Sequence, residues 1–185
     1  MTLILLAFLS ACSDDNSGEV FSKENAPWPM DSATVFLFRT SGDNNGRDGK
    51  GVLAISTDAA TACKDIRNGI PAFGSGIWFE LEYFTGRTVG SAAPAWDGLY
   101  VSGDATSTDS QASRSLTVSG WHEGFSYTFA GTDAWMDVNH GSRDRFAGEF
   151  STQWWTGKFD AQNCESGGGS TSTSDEDEDS GDPGT

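Results

Sequence analysis

The chain is expected to fold as an all-β domain, an antiparallel sandwich or barrel of about 8–9 strands with one short helix. Short apolar runs recur at roughly ten-residue intervals, separated by clusters of Gly, Asn, Asp and Ser, which is the spacing that strands joined by tight turns require. One segment, Ile77 to Phe84, alternates strictly: Ile77, Phe79, Leu81 and Tyr83 on one face, Trp78, Glu80, Glu82 and Phe84 on the other. Only one stretch carries helical spacing.

From Ala33 onward the elements follow in order. Thr34 to Arg39 contains Val35-Phe36-Leu37-Phe38, apolar on both faces and therefore suited to a central strand. It is expected to form a long hairpin with Gly51 to Ser56. Ser56 or Thr57 can then cap a helix over Asp58 to Asn68, stopped by Gly69. On it Ala59, Ala62, Cys63 and Ile66 fall three and four apart, so Cys63 faces inward. After the alternating strand come five more, at Gly98 to Ser102, Arg114 to Ser119, Phe125 to Ala130, Ala134 to Asn139 and Arg145 to Ser151, and a last one at Gly157 to Ala161. A Gly-x-Phe pattern occurs at Gly148 and again at Gly157, nine residues on, and predicts two arms of a closing hairpin.

The segment ahead of the domain has a different character. Leu3 to Leu9 is an uninterrupted apolar run, too short for a bilayer-spanning helix of about 20 residues but of the length of a signal-peptide core. Leu9-Ser10-Ala11-Cys12 follows at once and resembles the lipobox of bacterial lipoproteins. That resemblance implies a signal peptide over 1–11, diacylglycerol on the Cys12 thiol and stable anchoring by two or more acyl chains. Ser13 after the cysteine implies sorting to the outer membrane. No Lys or Arg precedes the apolar run, where such signals normally carry positive charge. Residues 12–26 are polar and acidic and read as a flexible tether, 27–166 as the β-domain and 167–185 as a disordered acidic tail. A Gly-x-Phe hairpin followed shortly by cysteine resembles the ending of uncharacterised lipoproteins with single β-domains, a likeness that implies no activity.

Three cysteines would leave one unpaired in an exported protein. Lipidation of Cys12 leaves Cys63 and Cys164 to form a disulfide in an oxidising compartment. The alternative is two separate buried thiols. A metal site is not expected, because those two cysteines are far apart and His122 and His140 are the only imidazoles. The loop from Asp43 misses the calcium-loop pattern, with Asp48 where Gly is needed and Ala54 in place of the bidentate Glu. No cofactor is implied.

The sequence carries 27 acidic against 11 basic residues, a formal net charge of −16, and no basic cluster, so nucleic acid is excluded as a partner. The implied partners are the membrane, through the lipid, and a glycan or an envelope protein. Seven tryptophans are many for 185 residues. Aromatics ordinarily fill a β-core; exposed ones stack on sugar rings, and strand alternation turns Trp78 and Trp135 away from the apolar faces. These two are the expected ligand-binding residues of a carbohydrate-binding module, the alternative to a non-enzymatic partner-binding or structural domain. Glu80 and Glu82, about 7 Å apart on one strand face, would serve a glycosidase, the third reading. No catalytic residue is assigned.

Overall fold

The computed structural model describes residues 17–40, 48–71, 73–84, 96–102, 113–129, 133–142 and 145–164. The expected signal peptide over 1–11, Cys12, the expected tail over 167–185 and most of the loop from Asp43 lie outside the described residues.

The described chain forms β1 (Ser17–Ser22), β2 (Val35–Thr40), β3 (Asp48–Ser56), α1 (Cys63–Arg67), β4 (Ser75–Phe84), β5 (Gly98–Ser102), β6 (Ser113–His122), β7 (Phe125–Thr128), β8 (Trp135–Gly141), β9 (Arg145–Ser151) and β10 (Trp155–Asn163). Eight of these strands close into a barrel, in the order β10-β2-β3-β4-β6-β5-β8-β9, with β1 added on β10 and β7 on β6. The expected class is met, and of its two forms the barrel is the one adopted. Within β2-β3-β4-β6-β7 and within β5-β8-β9-β10-β1 every pairing is antiparallel. Two short parallel seams join these halves: Gln162 and Asn163 of β10 beside Leu37 and Phe38 of β2, and Val101 and Ser102 of β5 beside Ser115 and Leu116 of β6. Nothing in the alternation of single strands announces such seams, which depend on which distant edges meet.

An eight-stranded barrel is just wide enough for side chains to fill it. This one is packed with aromatics: Phe36, Phe38, Phe79, Phe146, Phe150 and Trp155 are each at most 1% exposed. Phe38 and Phe146 stack at 3.7 Å between centroids. Tryptophans close both ends. At the upper end, where β2 and β10 begin, residues 23–34 carry Trp28 across the opening onto Trp155 of β10, His122 of β6 and Tyr127 of β7. Ser22 fastens this strap: its amide donates to Asp31 Oδ1 (3.0 Å) and its hydroxyl accepts from the Met30 amide (2.8 Å). Bonds from Ser22 also hold the Asp31 carboxyl below its usual range. At the lower end Trp96 packs on Phe38, Tyr83 and Phe146.

Trp96 is held there by Tyr100, whose buried hydroxyl donates to the Trp96 carbonyl at 2.9 Å. Burial pushes the Tyr100 phenol far above its ordinary value, against the opposing pull of Arg114. The folded state thus keeps the proton more tightly than the unfolded chain, whose tyrosine titrates near about 10. Stability is complete below that value and falls as pH climbs past it. Tyr100→Phe is expected to lose about 1 kcal/mol at neutral pH with the hydrogen bond, and to show a smaller alkaline decline in urea melts between about pH 9 and 11 than the wild-type chain.

The Gly-x-Phe pair forms the closing hairpin, and its register explains the pattern. Gly148 lies opposite Phe159 and Gly157 opposite Phe150. A Cβ on Gly148 would collide with the Asp137 carbonyl and stand 3.0 Å from the Phe159 ring, and one on Gly157 would collide with the Glu19 carbonyl and stand 3.1 Å from Phe150. Each glycine makes room for the other arm's phenylalanine.

Two expectations are corrected. Residues 12–26 do not all form a tether: Ser17–Ser22 is a strand paired along β10 from Asp160 to Trp155, with Val20 buried in the core. Its polar sequence hides this, because β1 lies at an edge with one inward side chain and its stability comes from the upper half of β10 that β2 leaves unpaired. The helix is also shorter than Asp58 to Asn68. Ser56 Oγ accepts from the Asp58 amide (3.0 Å) and contacts Thr61 Oγ1 (2.9 Å), holding a turn rather than capping a helix. The helix begins at Cys63, with Asp65 accepting from the Ala62 amide.

Cys63 and Cys164 form the expected disulfide, with Cα atoms 5.2 Å apart. It fastens α1 to the end of β10, and α1 in turn covers an outer apolar cluster of Val35, Leu37, Val52, Ala54, Trp78 and Trp121 with Ile66. The barrel therefore has one core inside and a second beneath the helix.

Candidate functional site

Among the described residues the inward-facing side chains fill the barrel interior. An open cleft of about 500 Å³ lies at the upper end, lined by Lys23, Val101, Ser102, Asp133, Ala134, Trp135, Ser151, Thr152 and Gln153. That volume falls within the usual range for small-molecule sites, about 300–1,000 Å³.

Its walls are built by register. Trp135, first residue of β8, pairs with Ser151 of β9 and Val101 of β5, so three strand ends meet around it. The alternation of β8 buries Met136 and Val138 and turns Trp135 outward, 39% exposed. Ser102 and Ala134 clip the β5 side: the Ser102 amide donates to the Ala134 carbonyl and the Ala134 amide to Ser102 Oγ, both at 2.9 Å. On the other side Thr152 organises the β9–β10 turn. Its buried hydroxyl accepts from the Trp154 and Trp155 amides at 3.1 and 2.9 Å, and its own amide donates to the Trp155 carbonyl at 2.7 Å. Lys23 docks on this turn through its backbone amide, to the Trp154 carbonyl at 2.7 Å, and through Nζ, to Ser151 Oγ at 2.9 Å and the Thr152 carbonyl at 2.5 Å.

The arrangement offers one aromatic face, one ammonium, one carboxylate and several neutral polar groups. An aromatic ring beside hydrogen-bonding groups suits a ligand with a flat C–H face and a polar rim.

Chain comparisons add no relatives: no family model, no curated protein and no solved structure matches this chain.

Of the two tryptophans expected to bind ligand, the structure keeps Trp135 in a cleft and removes Trp78. Trp78 does point away from the barrel interior, as alternation requires, yet α1 covers that face and leaves it 3% exposed, with its indole N–H donating to Glu80 Oε1 at 3.2 Å. Trp28, Trp96, Trp121 and Trp155 are buried as well, and Trp154 is half-buried against Phe129. The carboxylates of β4 are engaged separately: Glu80 with Trp78, Glu82 with Lys50 in an exposed ion pair at 2.5 Å. His122 bonds Ser75 Oγ through Nδ1 at 2.7 Å and stacks on Trp28, while His140 is exposed on β8. Among the described residues no three metal-ligating side chains gather.

Sequence reasoning missed Lys23, Asp133 and the 151–153 turn. Lys23 sat in the expected tether, and the other two sat in turns with no motif; their common position at one end of the barrel is a product of closure alone.

Proposed function

We propose that this chain is an outer-membrane lipoprotein of the bacterial envelope, anchored through Cys12, whose barrel is a non-enzymatic carbohydrate-binding module with its site at the Trp135 cleft. The observation that carries the sugar reading is the contrast among the tryptophans: five are buried, and the most exposed one lines the cleft beside polar groups. The anchor is supported by the order of apolar run, small residues and Cys12, and by the pairing of the other two cysteines with each other. Among the described residues no helix is long and apolar enough to cross a membrane.

Two measurements test this. On a glycan array and in calorimetry, Trp135→Ala should bind about tenfold more weakly or worse, equivalent to about 1.4 kcal/mol, while Trp78→Phe leaves affinity unchanged; a Trp135→Ala protein that binds like wild type would sink the site. Cys12→Ser should move the protein from membranes to the soluble fraction, and a variant that still sediments with membranes would sink the anchor.

A second reading, an envelope protein as partner, is favoured by a separate aromatic rim at the same barrel end. Phe73, Phe125 and Tyr127 are 77%, 68% and 41% exposed, and the Glu123 amide ties the β6–β7 hairpin to the Gly74 carbonyl at 3.1 Å. Cross-linking to an envelope protein that Phe125→Ser abolishes and Trp135→Ala preserves would establish it.

A further inference from the structure

We infer that the cleft selects a sugar ring bearing one acidic substituent, which Lys23 binds while Trp135 stacks on the ring face and Asp133 accepts bonds from ring hydroxyls. The inference rests on the sugar-binding reading above and gives it a ligand class.

The decisive feature is a cation and an anion that share a cleft without pairing. Lys23 and Asp133 both line it, yet the ion pairs among the described residues are Lys50–Glu82 and Arg145–Asp160. Lys23 is instead placed on the β9–β10 turn, with Nζ bonded to Ser151 Oγ and the Thr152 carbonyl and its backbone amide to the Trp154 carbonyl. Both oxygens it bonds are neutral, and among the described residues no carboxylate pairs with it. An ammonium has three donors, and these contacts use two. The third is available to a ligand, and a donor–acceptor pair in which both groups are charged is the strong kind.

Asp133 has the complementary chemistry. A carboxylate is acceptor-only and takes bonds from two neighbouring hydroxyls, which a sugar ring supplies beside the face that covers Trp135. The formal charges of Lys23 and Asp133 cancel, and the whole chain carries −16. A long polyanion is repelled by such a surface. A mainly neutral oligosaccharide with a single acidic ring is the matched ligand.

The test compares two pairs of probes: an oligosaccharide containing one uronic acid with its carboxyl-reduced counterpart, and an oligosaccharide carrying one phosphate with its dephosphorylated form. Expected for the wild-type protein is about a tenfold preference for an acidic probe over its neutral partner, shrinking in 0.5 M salt as a charge contact should; which acid is preferred identifies the substituent. Lys23→Met should erase the preference between each acidic probe and its neutral partner, and Lys23→Arg should retain most of it. A thermal melt of Lys23→Met matching wild type excludes a folding defect from loss of the Nζ bonds to Ser151 and Thr152. Equal binding of acidic and neutral probes, or a preference that survives Lys23→Met, overturns this inference alone. Absence of any glycan binding sensitive to Trp135→Ala overturns the sugar reading itself.

Discussion

Replacing Cys63 and Cys164 by alanine is expected to lower the unfolding free energy by about 4 to 5 kcal/mol. The bond joins residues separated by 101 positions, and in the chain-entropy model a loop of that length gives about 4.7 kcal/mol. That is a large share of a typical domain's total. Packing adds to the entropy. Five residues of helix are too few to be stable in water, so α1 depends on its attachment, and with α1 goes the cover over Trp78 and Trp121. Urea titration should show a midpoint about 2 M lower for an m-value near 2 kcal/mol/M, and the native-state tryptophan emission should shift to the red. Reductant should reproduce the loss in the wild-type chain and change nothing in the double variant. A loss under about 1 kcal/mol would mean that α1 stays docked by packing alone.

Trp28→Ala is expected to cost about 3 to 5 kcal/mol, the usual range for truncating a buried large aromatic. Trp28 is 3% exposed and closes the upper end over Trp155, Phe129, Tyr127 and His122, so its removal opens the barrel mouth instead of leaving a sealed void. Trp28→Phe should be much milder, because the indole N–H has no hydrogen-bond partner among the described residues and only ring area is lost. The strap that carries Trp28 begins at Lys23, so the alanine variant should also weaken acidic-sugar binding at temperatures where it remains folded. Thermal melts of both variants, with calorimetry on Trp28→Ala, check the two halves of this expectation.

Most strands were legible because burial in a barrel imposes period two on each strand separately. Ile77, Phe79, Leu81 and Tyr83 face inward, and β4 runs Ser75–Phe84 against an expected Ile77 to Phe84. The hairpins β2–β3 and β9–β10 were legible because their partners are near in sequence. β1 was not. Only Val20 of its six residues is buried, and its partner is more than 130 residues away. The site was legible in part: alternation turned both Trp78 and Trp135 outward, but an outward side chain is exposed only if nothing covers it. Five residues of α1, tied down by Cys164, settled that for Trp78.

By itself the sequence determined what local periodicity and residue chemistry can carry: an all-β domain, the faces of its strands, the cysteine pair and the acidic balance of the chain. Closure decided the rest. The choice of barrel over sandwich, the parallel seams, the strand status of Ser17–Ser22 and the meeting of Lys23, Asp133 and Trp135 at one end are all set by pairings between segments remote in the chain. Such pairings depend on which edges remain open once the local elements have formed. No window of sequence contains that information.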